Sequence, residues 1–131
     1  MKNPAVGFFL FLTAGMLSAP AYATGTITCQ SATGSVVELQ IGFVAVDTLI
    51  GAYITADGSV WSTSIGQGTQ ISILQSFFGD EKIMADFGDS NLENIIARLR
   101  LFRASQGQDL AMAGTLQIAD VGAYAVSCKG P

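Results

Sequence analysis

The residue types that most often carry enzyme chemistry are scarce in this sequence. Its 131 residues include no histidine, which excludes Ser-His-Asp and Cys-His arrangements, histidine-ligated zinc and the commonest general base. The phosphate-binding pattern GxxxxGK[ST] is also missing, and no GxGxxG pattern occurs between a strand and a helix. An enzyme built on carboxylates alone, such as a glycosidase, stays formally open, but no two carboxylates form a recognisable catalytic pair. We therefore expect a non-enzymatic protein with no cofactor and no metal.

The two cysteines are the first pair of residues whose spacing suggests a role. Cys29 lies in the first β-like run after the N-terminal segment, and Cys128 ends the last such run. In an exported chain, two cysteines favour a disulfide. A bond closing a loop of about 100 residues contributes about 4–5 kcal/mol in the chain-entropy model. An intermolecular bond or free thiols are the alternatives, whereas a redox role is disfavoured because there is no CxxC motif.

The densest group of carboxylates lies between residues 80 and 93. Closely spaced oxygen ligands suit calcium, but the order and length of an EF-hand loop are missing. Two solvated turns flanking a strand would give the same composition. A negative surface of this kind could instead face a basic protein, where charge matching raises association rate and selectivity. The candidate partner-binding residues are Asp80, Glu81, Asp86, Asp89 and Glu93.

The main basic patch in the sequence is Arg98, Arg100 and Arg103. On a strand, Arg98 and Arg100 point to the same side, where they could contact an anion or a carboxylate-bearing partner. The alternative is the solvent side of an amphipathic strand, balanced by neighbours such as Asp86 or Glu38. We keep Arg98 and Arg100 as candidate contacts for an anionic partner.

Residues 1–23 have the features of a secretory signal peptide. Lys2 supplies positive charge, Ala5–Leu17 is apolar, and Ala21–Ala23 forms an A-x-A cleavage site. The apolar run is too short for a membrane span, although a retained N-terminal anchor is an alternative. We expect a periplasmic or secreted protein, with no membrane span after cleavage and a single β domain at 24–131. Its five basic and ten acidic residues give a net charge of −5, which argues against nucleic acid and anionic membranes as partners.

Short β-like runs separated by turns follow one another about every ten residues along the rest of the chain. Asp57-Gly58 is the clearest hairpin turn, because both residues tolerate positive φ. Counting back from it places Tyr53 opposite Ser62. Three aromatic residues are candidate recognition contacts, with core packing as the favoured role: Trp61, Tyr53 and Tyr124.

The stretch 90–102 fits two structures. Ser90 and Glu93 form a capping-box pattern, which is typical of a helical first turn. The alternation of Ala97–Arg103 instead favours a strand from about Ile95 to Ala104, with one helical turn before it as an option. The patterns together predict an all-β fold: an antiparallel β-sandwich or closed barrel of about 8–9 strands, with a disulfide tying the first strand to the last.

In format, an exported acidic β-rich chain with one disulfide is similar to the bacterial periplasmic lysozyme inhibitors. Those proteins carry a Ser-Gly-x-x-Tyr-like loop that enters the lysozyme cleft. The stretch Val121–Tyr124 has a Gly and a Tyr but no Ser, and its spacing differs. The likeness therefore covers architecture, and no site residue is transferred.

Binding of a protein partner is the function that this sequence favours, and inhibition of a basic enzyme such as lysozyme is one form of it. Two alternatives stay open: a small-molecule carrier with a lipocalin-like interior, and a structural subunit of a cell-envelope assembly. The oligomeric state is not predicted.

Overall fold

A computed structural model describes residues 23–131, and the predicted signal peptide lies outside them apart from Ala23. The described chain is all-β, as predicted. No helix long and apolar enough to cross a membrane occurs in this part of the chain. The strands are β1 (Ala23–Ser31), β2 (Val36–Phe43), β3 (Asp47–Ala56), β4 (Ser59–Ser62), β5 (Thr69–Gln70), β6 (Ser72–Phe78), β7 (Lys82–Gly88), β8 (Ile95–Gln106), β9 (Asp109–Ile118) and β10 (Gly122–Lys129).

All ten strands belong to one sheet, in the order β5-β4-β3-β2-β1-β10-β9-β8-β7-β6. Every neighbouring pair is antiparallel except β4 and β5, which are parallel. The two strands at the ends of this order, β5 and β6, follow each other in the chain with only Ile71 between them. The sheet therefore curls into a nearly closed barrel rather than a sandwich. The count exceeds the predicted 8–9 strands because the β-rich run Thr69–Phe78 divides at Ile71 into β5 and β6.

Period-two alternation fills the inside of the barrel. In β2, Val37, Leu39 and Ile41 are buried, whereas Glu38 and Gln40 between them are exposed. Inward-facing side chains from the other strands complete one apolar core. Because the core occupies the interior, the main cavities lie at the surface and are lined mostly by outward-facing and turn residues.

The predicted disulfide between Cys29 and Cys128 is confirmed. The two residues lie directly opposite each other in the ladder between β1 and β10. That ladder has only four residue pairs, compared with eight between β1 and β2 and seven between β9 and β10. The covalent bond therefore reinforces the short ladder at which the first strand meets the last.

The hairpin at Asp57-Gly58 forms as predicted. Both residues have positive φ, 51° and 78°, which matches the primed turn that suits the twist of a two-residue hairpin. Tyr53 pairs with Ser62 as the count from the turn predicted. Trp61 is 9% exposed and belongs to the core, so core packing is its role, while Tyr53 stays half-buried on the outer face.

The strand expected at about Ile95–Ala104 is confirmed as β8, Ile95–Gln106. The helical turn before it is absent, and residues 89–94 form a tight loop. Asp89 organises this loop: its carboxylate accepts bonds from the Glu93 amide and the Asn94 side chain, both 2.9 Å long. These bonds hold the pKa of the Asp89 carboxyl below its usual value. The capping-box interpretation of Ser90 was therefore wrong, because Asp89 supplies the side-chain acceptor.

Candidate functional site

Asp86 is a buried carboxylate on the outer side of the barrel. It lies on β7 between Ala85 and Phe87, which are buried on the inner face, so alternation points it outward. It is nevertheless only 3% exposed. Its direct cross-strand neighbours are Gln75 on β6 and Arg98 on β8, and these long side chains flank it on both sides.

Two donors satisfy the Asp86 carboxylate. Arg100 Nη1 donates to Oδ1 at 2.8 Å, and Gln75 Nε2 donates to Oδ2 at 2.6 Å. The same Arg100 nitrogen also donates to the Leu99 carbonyl at 2.9 Å. A buried carboxylate is stable only with such partners, and the contacts fix the orientation of the Arg100 guanidinium.

The electrostatics of this cluster keep Asp86 ionised. Burial alone would raise the pKa of the Asp86 carboxyl. The hydrogen bonds from Arg100 and Gln75 and the positive charges of Arg100 and Arg98 act in the opposite direction and outweigh it. The pKa of Asp86 therefore lies below its usual value, and the ion pair with Arg100 persists at neutral pH.

Large apolar side chains surround this ionic cluster on the outer face. Phe77 on β6 lies opposite Met84 on β7, which in turn lies opposite Arg100 on β8. In the next row, Phe102 lies opposite Lys82, whose ammonium is 5.7 Å from the centre of the Phe102 ring. Phe77 is 52%, Met84 38% and Phe102 62% exposed. We call this surface the β6–β8 face; it consists of Phe77, Lys82, Met84, Arg98, Arg100 and Phe102.

A small cavity of about 110 Å³ joins the polar and apolar parts of the β6–β8 face. Phe77 and Met84 line its apolar side, and Gln75, Asp86 and Arg100 line its polar side. It is too small for a drug-sized ligand, since such sites span about 300–1,000 Å³. It is large enough to receive one side chain from a partner.

The five candidate acidic residues do not form one surface. Asp80 and Glu81 lie in the turn before β7, and Asp89 and Glu93 lie in the loop after it. β7 has seven residues, so Glu81 and Asp89 on either side of it are separated by about 27 Å at about 3.4 Å per residue. Asp86 lies between them but is already bonded to Arg100. Partner binding by either group stays a prediction.

The two candidate arginines do share the outer face. Arg98 is exposed, while Arg100 binds Asp86, one of the two carboxylates proposed to balance it. Glu38, the other, lies on β2, on the opposite side of the sheet order. Strand alternation places Arg103 on the inner side of β8. Its Nη2 donates to the Gly79 carbonyl, and its buried Nε has no hydrogen-bond partner.

The apolar members of the β6–β8 face were missed by the sequence reasoning, although a signal was present. Met84 and Phe102 occupy outward positions on strands whose inward positions, such as Ile83 and Leu101, are already apolar. A large apolar residue at an outward position of such a strand indicates a surface that something covers. That test marks both residues in the sequence, and it also marks Ile50 on β3.

A second depression on the outer face is wholly different in character. It has a volume of about 590 Å³ and lies beside β2, β3 and the segment after β4. Thr63 shapes it, because its Oγ1 accepts the Ala52 amide at 3.0 Å and thereby pins the segment onto β3. Its lining mixes polar and apolar surface, and the polar residues are Glu38, Gln40, Tyr53, Ser62, Thr63, Ser64 and Gln67.

Groups of three or more histidine, cysteine or acidic side chains that could hold a metal ion are not found in the described residues, 23–131. The two cysteines are bonded to each other, and the ionic cluster contains a single carboxylate. Comparison with the models of known protein families, with curated proteins and with solved structures finds no match to this chain.

Proposed function

We propose that this protein is an exported, non-enzymatic binding protein whose β6–β8 face docks on a protein partner. The observation that carries the proposal is the exposure of Phe77, Met84 and Phe102 on the outside of a barrel whose core is already filled. These side chains are not needed to pack the interior. Their burial therefore requires a second molecule.

The composition of this face fits a protein interface. Phe, Met and Arg are enriched at the centres of protein interfaces, whereas Lys, Glu and Asp are depleted there. Here two phenylalanines and a methionine surround Arg100, which the Asp86 carboxylate holds in one orientation at 2.8 Å. A preorganised guanidinium loses less conformational entropy on binding than a free one.

The charge of the face indicates an acidic partner. Four of the six lysine and arginine residues of the chain lie on β7 and β8, although the whole chain has a net charge of −4. In the part of the chain that the structure describes, Arg100–Asp86 is the sole ion pair. Arg98 and Lys82 are therefore available to carboxylates of a partner that covers the apolar residues.

Other functions fit these observations less well. A lipocalin-like carrier needs an interior cavity, and the inside of this barrel is occupied by apolar side chains. Inhibition of a basic enzyme such as lysozyme is less favoured, because the acidic candidates lie about 27 Å apart at the two ends of β7. Export is supported by the signal-peptide features of residues 1–23 and by the disulfide, which persists in oxidising compartments.

Affinity enrichment with three immobilised baits tests the proposal. The first bait is the processed protein, and the second replaces Phe77, Met84 and Phe102 with serine. The third is a matched control that replaces three exposed apolar residues elsewhere, Val44, Val46 and Leu110.

The baits are incubated with extracellular proteins of the producing organism, and the retained proteins are measured by quantitative mass spectrometry. We expect an acidic partner to be retained by the first and third baits and lost with the second. Binding of the purified partner should weaken at least about tenfold in Arg98→Glu and should fall with added salt. Equal retention by all three baits would contradict the proposal, as would no specific retention by the first.

A further inference from the structure

Strand β6 has a neighbour on one side only. It ends the strand order of the sheet and forms a ladder with β7 alone. β3 approaches β6 where the barrel nearly closes, but within residues 23–131 no strand forms a ladder with the other edge of β6. The unpaired edge arises because only Thr69 and Gln70 pair with β4 before the chain diverges into β6.

The hydrogen-bond pattern identifies the groups on this edge. The Gly79 amide donates to the Lys82 carbonyl at 2.8 Å, so this pair of residues is hydrogen-bonded across the hairpin. Alternation along an antiparallel ladder then makes Phe77 and Gln75 hydrogen-bonded to β7. The amides and carbonyls of Ser76 and Phe78 consequently point away from β7, toward the free edge.

Beyond the register irregularity between Ile73 and Gln75, the part of this edge at Ser76–Phe78 lacks the features that usually prevent strand pairing. Natural edge strands carry lysine or proline, or are very short. β6 is seven residues long and contains no charged residue and no proline. Three consecutive residues of β6 are exposed: Gln75, Ser76 and Phe77. Ser76 is exposed although strand alternation places it on the inner side of the sheet. The other end strand, β5, has only two residues.

We propose that the free edge of β6 pairs with β6 of a second copy of this chain, antiparallel and across a two-fold axis near Ser76. Identical edges satisfy each other's outward amides and carbonyls in a closed, isologous contact. Because the strand is uncharged, the pairing places no like charges opposite each other, although each chain has a net negative charge.

The arrangement of side chains also fits a second copy. With the axis at Ser76, Phe77 of one copy lies opposite Gln75 of the other, and both residues are on the outer face. The Phe77 residues of the two copies are then diagonal neighbours across the axis, about 7–8 Å apart, which is within reach of aromatic side chains. The pairing depends on backbone groups and does not require the partner proposed above, so either proposal can fail without the other.

Two measurements on the processed protein test this pairing. Sedimentation equilibrium from about 5 to about 500 µM should show a reversible dimer, since mass action populates it as concentration rises. Amide hydrogen exchange should slow at least about tenfold at Ser76 and Phe78 over the same range. The amide of Gly107, in the turn between β8 and β9, should not change.

Variants at Ser76 separate edge pairing from other association. Ser76→Pro removes an outward amide without breaking a bond to β7, and Ser76→Asp adds a charge of the kind that protects natural edges. Each should weaken the dimer at least about tenfold with an unchanged circular dichroism spectrum. The control Ser127→Asp lies on β10 with strands on both sides, and it should leave the dimer intact.

Three results would overturn the inference. The first is a monomer at about 500 µM, which would leave the edge to a strand from another protein or to solvent. The second is a dimer that persists in both Ser76 variants. The third is a dimer in which the Ser76 and Phe78 amides stay unprotected.

Discussion

Breaking the bond between Cys29 and Cys128 should lower the melting temperature of the barrel by about 9–17 °C. The sequence separation of the two cysteines is 99 residues, and the chain-entropy model assigns a loop of that length about 4.7 kcal/mol. Measured losses are commonly smaller, so we expect about 2–4 kcal/mol. An unfolding entropy of about 2.1 cal/mol/K per residue converts this loss to the stated temperature range for about 109 residues.

The structure also predicts which strands should lose stability first when the disulfide is broken. The ladder between β1 and β10 has four residue pairs, fewer than the ladders on either side of it. Without the bond, amide exchange should accelerate in Thr28–Ser31 and Val126–Lys129 before it does in β8 and β9. The core around Leu99 should keep its protection until global unfolding.

Circular dichroism melts of three samples measure the effect. They are the oxidised protein, the same protein held reduced, and the Cys29→Ala/Cys128→Ala variant. The reduced protein isolates the covalent link, because its two thiols still fill the core. Melting temperatures within about 2 °C of one another would refute the reasoning, since they would limit the contribution of the link to about 0.5 kcal/mol.

Further substitutions test the β6–β8 face and the core. Asp86→Asn should destabilise the fold by about 1–3 kcal/mol in urea titration, because Arg100 loses a charged acceptor. The lowered pKa of Asp86 contributes stability above its unfolded pKa of about 3.9, and this contribution is lost as pH falls through the lower folded pKa. The free energy of unfolding of Asp86→Asn should therefore fall less than that of the unchanged protein below about pH 4. An unchanged pH profile would contradict the ion pair between Asp86 and Arg100. Gly114→Ala should cost about 1–3 kcal/mol, because an added Cβ would overlap the Arg100 carbonyl, and a neutral effect would show that β8 and β9 can separate there.

Local chemistry made much of the fold predictable. Alternation along β2 and β8 marks Leu39 and Leu99 as inward residues, because successive side chains of a strand point to opposite faces. The Asp57-Gly58 turn gave the correct register for Tyr53 and Ser62, since a two-residue loop fixes the pairing of its flanking strands. The pairing of Cys29 with Cys128 followed from there being only two cysteines.

Closure of the barrel could not be predicted in the same way. It depends on Thr69-Gln70 pairing in parallel with β4 before the chain turns into β6. β4 and β5 follow each other in the chain, but their parallel pairing is not encoded by a turn motif of the kind that fixes an antiparallel hairpin. The same pairing leaves the far edge of β6 unpaired, so the free edge was also invisible in the sequence.

The candidate site was predictable only in part. The shared face of Arg98 and Arg100 followed from parity, but the burial of Asp86 depends on Gln75, a residue from another strand whose register contains an irregularity. Proximity in sequence grouped Asp80 and Glu93, whereas a strand of seven residues separates them in space. Carboxylates that lie close in sequence share a surface in a loop or a helix, not at the two ends of a strand.

Site-specific photocrosslinking in the producing cells tests the role of the β6–β8 face most directly. A photoreactive phenylalanine analogue would replace Phe102 in one sample and Val46, exposed in the turn between β2 and β3, in another. The proposed docking predicts a discrete crosslinked protein from position 102 and none from position 46. The same crosslinks from both positions, or none from position 102, would contradict it.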